Sequence, residues 1–187
     1  MSEKKATTLV LSELEQGIPA LSQALGKVMA ECCAVCLDNQ NHSRGLIFKV
    51  ALDKDGKEAQ DFIIQDWVVV TEDLKRCWRD LNEATELAAS GIAILLILKL
   101  TEFTTVERAV KTTGIDYWLG KKEDAGRNIF KRHARLEISG LLSGTESQIR
   151  SRVRYKLKQA QQSDYSMLPA FIIVVEFSNL LARVVRK

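Results

Sequence analysis

Two carboxylates stand out because each interrupts an apolar stretch. Asp116 lies in Gly114-Ile115-Asp116-Tyr117-Trp118-Leu119-Gly120, and Glu137 lies in Ala134-Arg135-Leu136-Glu137-Ile138-Ser139-Gly140. Both stretches read as strands bounded by glycine. Alternation along a strand sends Leu136 and Ile138 to a core and leaves Arg135, Glu137 and Ser139 on the other face. A carboxylate among apolar neighbours costs free energy unless it is paired, hydrogen-bonded or on a metal. Two of them on neighbouring strands could share a cation. The same residues also allow a structural reading, in which Asp116 caps a turn and Glu137 pairs with Arg135 or a nearby lysine, because ion-pair networks occupy such positions too.

Other charged residues are spaced to join such a site. Glu83 and Glu86 lie three apart in a helical segment and are therefore neighbours on its surface, where a solvated face is the alternative. Arg150, Arg154 and Lys158 line one side of a later helix, with Arg152 and Lys156 between them, the densest basic patch in the chain. It could meet phosphates, or serve only solubility. The two histidines, His42 and His133, fall in polar sequence away from the cysteines. No nucleophile–base set and no glycine-rich phosphate loop is visible.

The elements that must position these residues follow from pattern. At 187 residues with 46% apolar content, one domain with a real core is the expectation. A net charge of +3 permits nucleic-acid binding without announcing it. Residues 8–37 carry leucines and aliphatics at helical spacing, with a break foreseen around Gly17 and Pro19. Leu46–Leu52 and Phe62–Val70 read as a hairpin around the turn Asp53-Lys54-Asp55-Gly56, which lacks the closing ligands of a calcium loop. Thr71 is a good N-cap for one long helix to Leu100, apolar all round after Gly91 and hence buried. Thr101–Val110 is ambiguous and is assigned to a strand in hairpin with Gly114–Gly120. A basic loop, Lys121–Arg132, leads to the Glu137 strand. Thr145 and Gln148 form a capping-box pattern ahead of the basic helix. Phe171–Phe177 is apolar on both faces, as a central strand would be, and Leu180–Val185 adds a short last element.

Three of the four cysteines, Cys32, Cys33 and Cys36, sit in a helical pattern, with Cys77 apart. With no apolar leader visible after Met1, they read as reduced thiols of a cytoplasmic protein rather than as a disulfide frame or a zinc site. Gly91–Leu100 is about half a bilayer span, so no membrane segment is expected.

The order helix, strand with Asp, strand with Glu, basic helix, buried strand resembles the core of the PD-(D/E)XK restriction-endonuclease-like superfamily, over about Thr71 to Ser178. The words Asp116-Tyr117-Trp118-Leu119-Gly120 and Arg135-Leu136-Glu137-Ile138-Ser139-Gly140 also resemble those of uncharacterised bacterial proteins. Those proteins share the Glu83-Ala84-Thr85-Glu86 and Val174-Val175-Glu176-Phe177-Ser178 segments. The resemblance implies a mixed α/β fold, a mixed β-sheet flanked by helices, here with the N-terminal helical segment 8–37 and hairpin 46–70 appended to a core over 71–187. It implies Mg²⁺, or Mn²⁺ in its place, on Asp116 and Glu137, supported by Glu83 or Glu86. The superfamily lysine two residues after the second acid is Ser139 here. Lys156 or Lys158 would replace it, with Lys111 a weaker candidate, while Arg150, Arg154 and Arg135 would contact nucleic acid. The implied function is a Mg²⁺-dependent nuclease or phosphodiesterase. Its alternative is a non-catalytic module of the same fold that binds nucleic acid or a protein partner, a second copy of the chain included.

Overall fold

Every residue of Ala170–Glu176 is buried, as a strand covered on both faces must be. In the computed structural model, which describes residues 7–53, 58–124 and 131–187, this strand is β7, near the middle of a single mixed sheet. The other strands are β1 (Thr7–Leu9), β2 (Leu46–Ala51), β3 (Ala59–Ile64), β4 (Phe103–Arg108), β5 (Tyr117–Lys121), β6 (Ala134–Leu141) and β8 (Leu181–Arg186). Their order across the sheet is β1-β3-β2-β8-β7-β6-β5-β4.

Strands β4, β5 and β6 form an antiparallel meander. Strand β7 then runs parallel to β6, and the connection between them carries helix α4 (Glu146–Gln159). This is the longer crossover that parallel neighbours require. Strand β8 turns back antiparallel on β7 and pairs with β2, so the N-terminal hairpin extends the same sheet.

One face of the sheet packs on helices α1 (Gln23–Asn39) and α3 (Leu81–Leu100). Leu136, Ile138, Ile173 and Val175 point there. The other face packs on α4, where Ile149 and Val153 meet Trp118, Ile172 and Val174. Alternation along β6 and β7 thus divides two cores, as the sequence pattern required. Helix α3 is, among the described residues, the one helix long and apolar enough to cross a membrane, but 61% of its apolar window is buried inside the protein. It is the central core helix.

Cys32, Cys33 and Cys36 lie at the α1–α3 contact and Cys77 is exposed; all four are free thiols. Cys33 Sγ donates to Ala88 O at 3.3 Å, and Cys36 Sγ lies 3.8 Å from Thr85 Oγ1. Burial pushes the Cys36 thiol up to about 11 and holds Cys32 and Cys33 well above the ordinary thiol range. They are packing residues, protonated at neutral pH.

Several boundaries differ from expectation. The chain does not enter as helix: Thr7–Leu9 pairs in parallel with β3, and a 3₁₀ turn over Leu11–Gln16 ends at Gly17 with φ +85°. The cause is a long-range cap. The Asp66 carboxylate accepts from Leu11 N at 2.8 Å, Ser12 N at 3.2 Å and Ser12 Oγ at 2.8 Å. Strand β3 accordingly stops at Ile64, short of Val70. Helix α1 starts later, where Ser22 caps Leu25 N. The long helix from Thr71 is two, α2 (Glu72–Cys77) and α3, because Asp80 opens a new N-terminus by accepting from Asn82 N at 3.0 Å. Strand β5 begins at Tyr117 rather than Gly114, since Gly114 turns the chain with φ +72°. Residues 54–56 of the foreseen turn and residues 125–130, half of the basic loop, lie outside the described residues.

Helix α3 approaches β6 most closely at Gly140. A Cβ there would stand 2.6 Å from Thr85 O and 3.0 Å from Ala89 Cβ. Backbone cannot move aside cheaply, so Gly140→Ala is expected to lower unfolding free energy by about 1–3 kcal/mol. Urea denaturation with an unchanged m-value would measure this, and wild-type stability in the variant would contradict the close packing.

Candidate active site

The site forms where the sheet opens. Strand β5 begins at Tyr117, opposite Leu136, while β6 runs on to Leu141. Beyond Leu136, the β5-facing edge of β6 has lost its strand partner, and free N–H groups must be satisfied another way. Asp116, one residue before β5, does this: its Oδ2 accepts from Ile138 N at 2.8 Å, and its own N–H donates to Leu136 O at 2.8 Å. By the same register Asp116 lies opposite Glu137. Two like charges in that position destabilise a sheet unless one of them is neutralised.

Glu137 is fully buried. Lys156 Nζ, on α4, donates to its Oε1 at 2.5 Å, whereas Oε2 is buried without a hydrogen-bond partner among the described residues. Burial first, then the Asp116 charge and a hydrogen bond shared with the Asp116 carboxylate, push the Glu137 carboxyl up to about 8; Lys156 pulls the other way and is outweighed. A carboxyl raised by burial and a specific charged neighbour is a common mark of functional sites.

A cavity of about 400 Å³ opens beside this pair. Glu83 and Glu86 form part of its wall from α3, with Ser90 one turn on, at the spacing of one helix face. Asp116, Ser139 and Lys156 line it from the sheet and α4. Arg108 of β4 and Arg152 of α4 complete its basic side. Acidic and basic groups thus line one polar space.

The structure brings Asp116, Glu137, Glu83, Glu86 and Lys156 together, and separates the remaining candidates from them. Asp116 precedes its strand rather than lying in it. Lys158 is exposed and does not line the cavity, so of the two lysines only Lys156 reaches Glu137. Arg135 is not a surface cation. Its guanidinium is buried and donates to Leu168 O at 2.6 and 2.9 Å, Ala160 O at 3.1 Å, Ser163 Oγ at 3.0 Å and Asp164 Oδ1 at 3.1 Å. Those bonds use the donors a phosphate would need. Arg150 is held by Glu146 at 2.9 Å, and neither it nor Arg154 lines the cavity. Arg108 was missed because nothing in Val106-Glu107-Arg108 distinguishes it from any strand-end cation. Arg152 was visible in the basic patch, but which face of α4 meets the cavity follows only from the burial of Ile149 and Val153.

Among the described residues no group of three or more His, Cys, Asp or Glu converges as a ready metal cage. The donors present are two opposed carboxylates, one with an unpartnered oxygen. They match the one or two carboxylates by which Mg²⁺, otherwise hydrated, is usually held. Comparison of the chain with protein-family models, curated proteins and solved structures finds no match.

The raised carboxyl of Glu137 has a sign for stability. A carboxyl raised from 4.5 to about 8 on folding contributes most below its unfolded value, and that contribution is lost as pH rises through the folded value. Wild-type protein is therefore expected to lose thermal stability between about pH 5 and about pH 9. Glu137→Gln keeps an acceptor for Lys156 and should flatten that part of the profile. Parallel melting profiles for the two proteins would refute a raised Glu137.

Proposed function

We propose that this protein is a Mg²⁺-dependent nuclease or related phosphodiesterase with a restriction-endonuclease-like core, acting on nucleic acid. The observation that carries this is the buried Glu137 carboxyl set against Asp116, whose Oε2 has no donor once ionised, with Lys156 on the other oxygen. The order α3-β4-β5-β6-α4-β7, an antiparallel meander followed by a parallel crossover, supports the same core. The position of Lys156 answers the absence of a lysine at Ser139: a helix supplies the ammonium that the strand lacks. Buried thiols support a cytoplasmic setting.

The residues divide the work by charge and place. Asp116 and Glu137 would hold the cation, and Glu83 and Glu86, which line the same cavity, would bond its waters. Bound Mg²⁺ would activate water and neutralise charge on the phosphate. Lys156 is placed to donate to a phosphate oxygen once its bond to Glu137 is shared, and Arg108 and Arg152 to hold the phosphate against the acidic wall. The 2.5 Å Lys156–Glu137 ion pair favours a second reading. In it the ammonium itself neutralises the acid, and the cavity binds nucleic acid or a protein without cutting.

Purified protein incubated with mixed DNA and RNA substrates, with and without Mn²⁺, separates the two. Asp116→Ala and Glu137→Ala are each expected to lower the cleavage rate on the order of 10²-fold or more, with Lys156→Ala also slower. Melting curves control for folding. Calorimetry should show Mn²⁺ binding that strengthens as pH approaches about 8, because the cation displaces the Glu137 proton. Neither cleavage nor cation binding in wild-type protein would exclude the nuclease and leave the binding module.

A further inference from the structure

Arg152 lines two spaces at once. On one side is the carboxylate cavity; on the other is a second open groove of about 400 Å³, bounded by Leu141, Gln148, Ser151 and Tyr155. Residues 148, 151, 152 and 155 recur at spacings of three and four and so form one strip of α4. The strip carrying Ile149 and Val153 is buried against the sheet. Tyr155 is 64% exposed and makes no hydrogen bond or ring contact among the described residues. Arg152 has no acidic partner among them either.

This groove offers three kinds of contact. Leu141 and the Tyr155 ring supply apolar surface, Gln148 and Ser151 supply hydrogen-bonding groups, and Arg152 supplies a cation at the junction with the neighbouring cavity. An unpaired nucleotide presents the matching three: a base face, a base edge and a phosphate. In a duplex the base faces are covered by neighbouring bases, so the exposed ring has nothing to stack on.

We propose that the groove beside Tyr155 seats an unpaired base of single-stranded nucleic acid, with Arg152 on the phosphate that leads from that base towards the carboxylate cavity. The proposal rests on the nuclease reading of that cavity for its substrate class. Stacking on Tyr155 gives strand-type preference without base readout, since every base has a π-face. Arg152 adds affinity that salt screens.

The test reads binding rather than cleavage. Full-length protein is titrated, with EDTA present, against a short fluorescein-labelled oligothymidine and against the same strand annealed to its complement, and fluorescence anisotropy is followed. The single strand is expected to bind more tightly. Tyr155→Ala and Tyr155→Leu should each weaken that binding about tenfold, Tyr155→Phe should retain it, and duplex binding should stay as it was. Arg152→Ala should lower the slope of log affinity against log salt by about 0.7. Equal affinity for the two probes, no binding of either, or wild-type affinity in Tyr155→Ala would overturn the proposal. Because no cation is present and no bond is cut, those outcomes leave the nuclease reading to its own test, and loss of cleavage leaves this one standing.

Discussion

A carboxylate buried inside a sheet is the constraint around which this protein is arranged. Glu137 cannot reach water, and desolvation of a charged oxygen costs several kcal/mol unless other groups compensate. The compensation is partial. Lys156 meets one oxygen, and the other faces a second acid whose charge adds to the difficulty. Replacing the acid with an apolar residue would be simpler for folding alone. A fold that keeps such a group beside a polar cavity holds a local cost, met in part by keeping the carboxyl protonated up to about pH 8.

Glu176 shows what a satisfied buried carboxylate looks like in the same sheet. It too is fully buried, but its oxygens accept from Gly144 N, Ser178 N and Oγ, Asn179 N and Asn179 Nδ2. It fastens the β7–β8 turn to the loop before α4, and it needs no cation. Two acids with equal burial thus differ in the number of N–H and O–H groups aimed at each.

Much of this was legible in the sequence where a pattern was local. The two-sided apolar run of β7, the alternation in β6, the Thr145–Gln148 box and the β4–β5 hairpin all depend on near neighbours or on burial that composition reveals. Asp116 and Glu137 were visible as charges out of place. What was not legible depends on contacts distant in sequence. Asp66 caps residues 54 and 55 positions earlier and turns the foreseen helix into a strand and a 3₁₀ turn. Arg135 resembles any strand cation until its guanidinium is seen to bond carbonyls 25 and 33 residues away. Lys156 and Lys158 differ by half a helical turn, and only the docking angle of α4 decides which one reaches the acid.

That docking angle is itself set by the strands that carry the two acids. Arg135, two residues before Glu137, clamps Ala160 O and Leu168 O just beyond the end of α4. Gly114, two residues before Asp116, packs so closely on Gln159 O that a Cβ would come within 2.2 Å of it. Both strands therefore grip the same last turn of the helix, and Lys156 lies one turn back from that grip. A lysine carried on a helix ordinarily follows any shift of that helix. Here the helix is tied at the carbonyls nearest the lysine by residues beside each carboxylate, so the three charges are held by one connected piece of backbone. These contacts make α4 act, at that end, as an extension of the sheet.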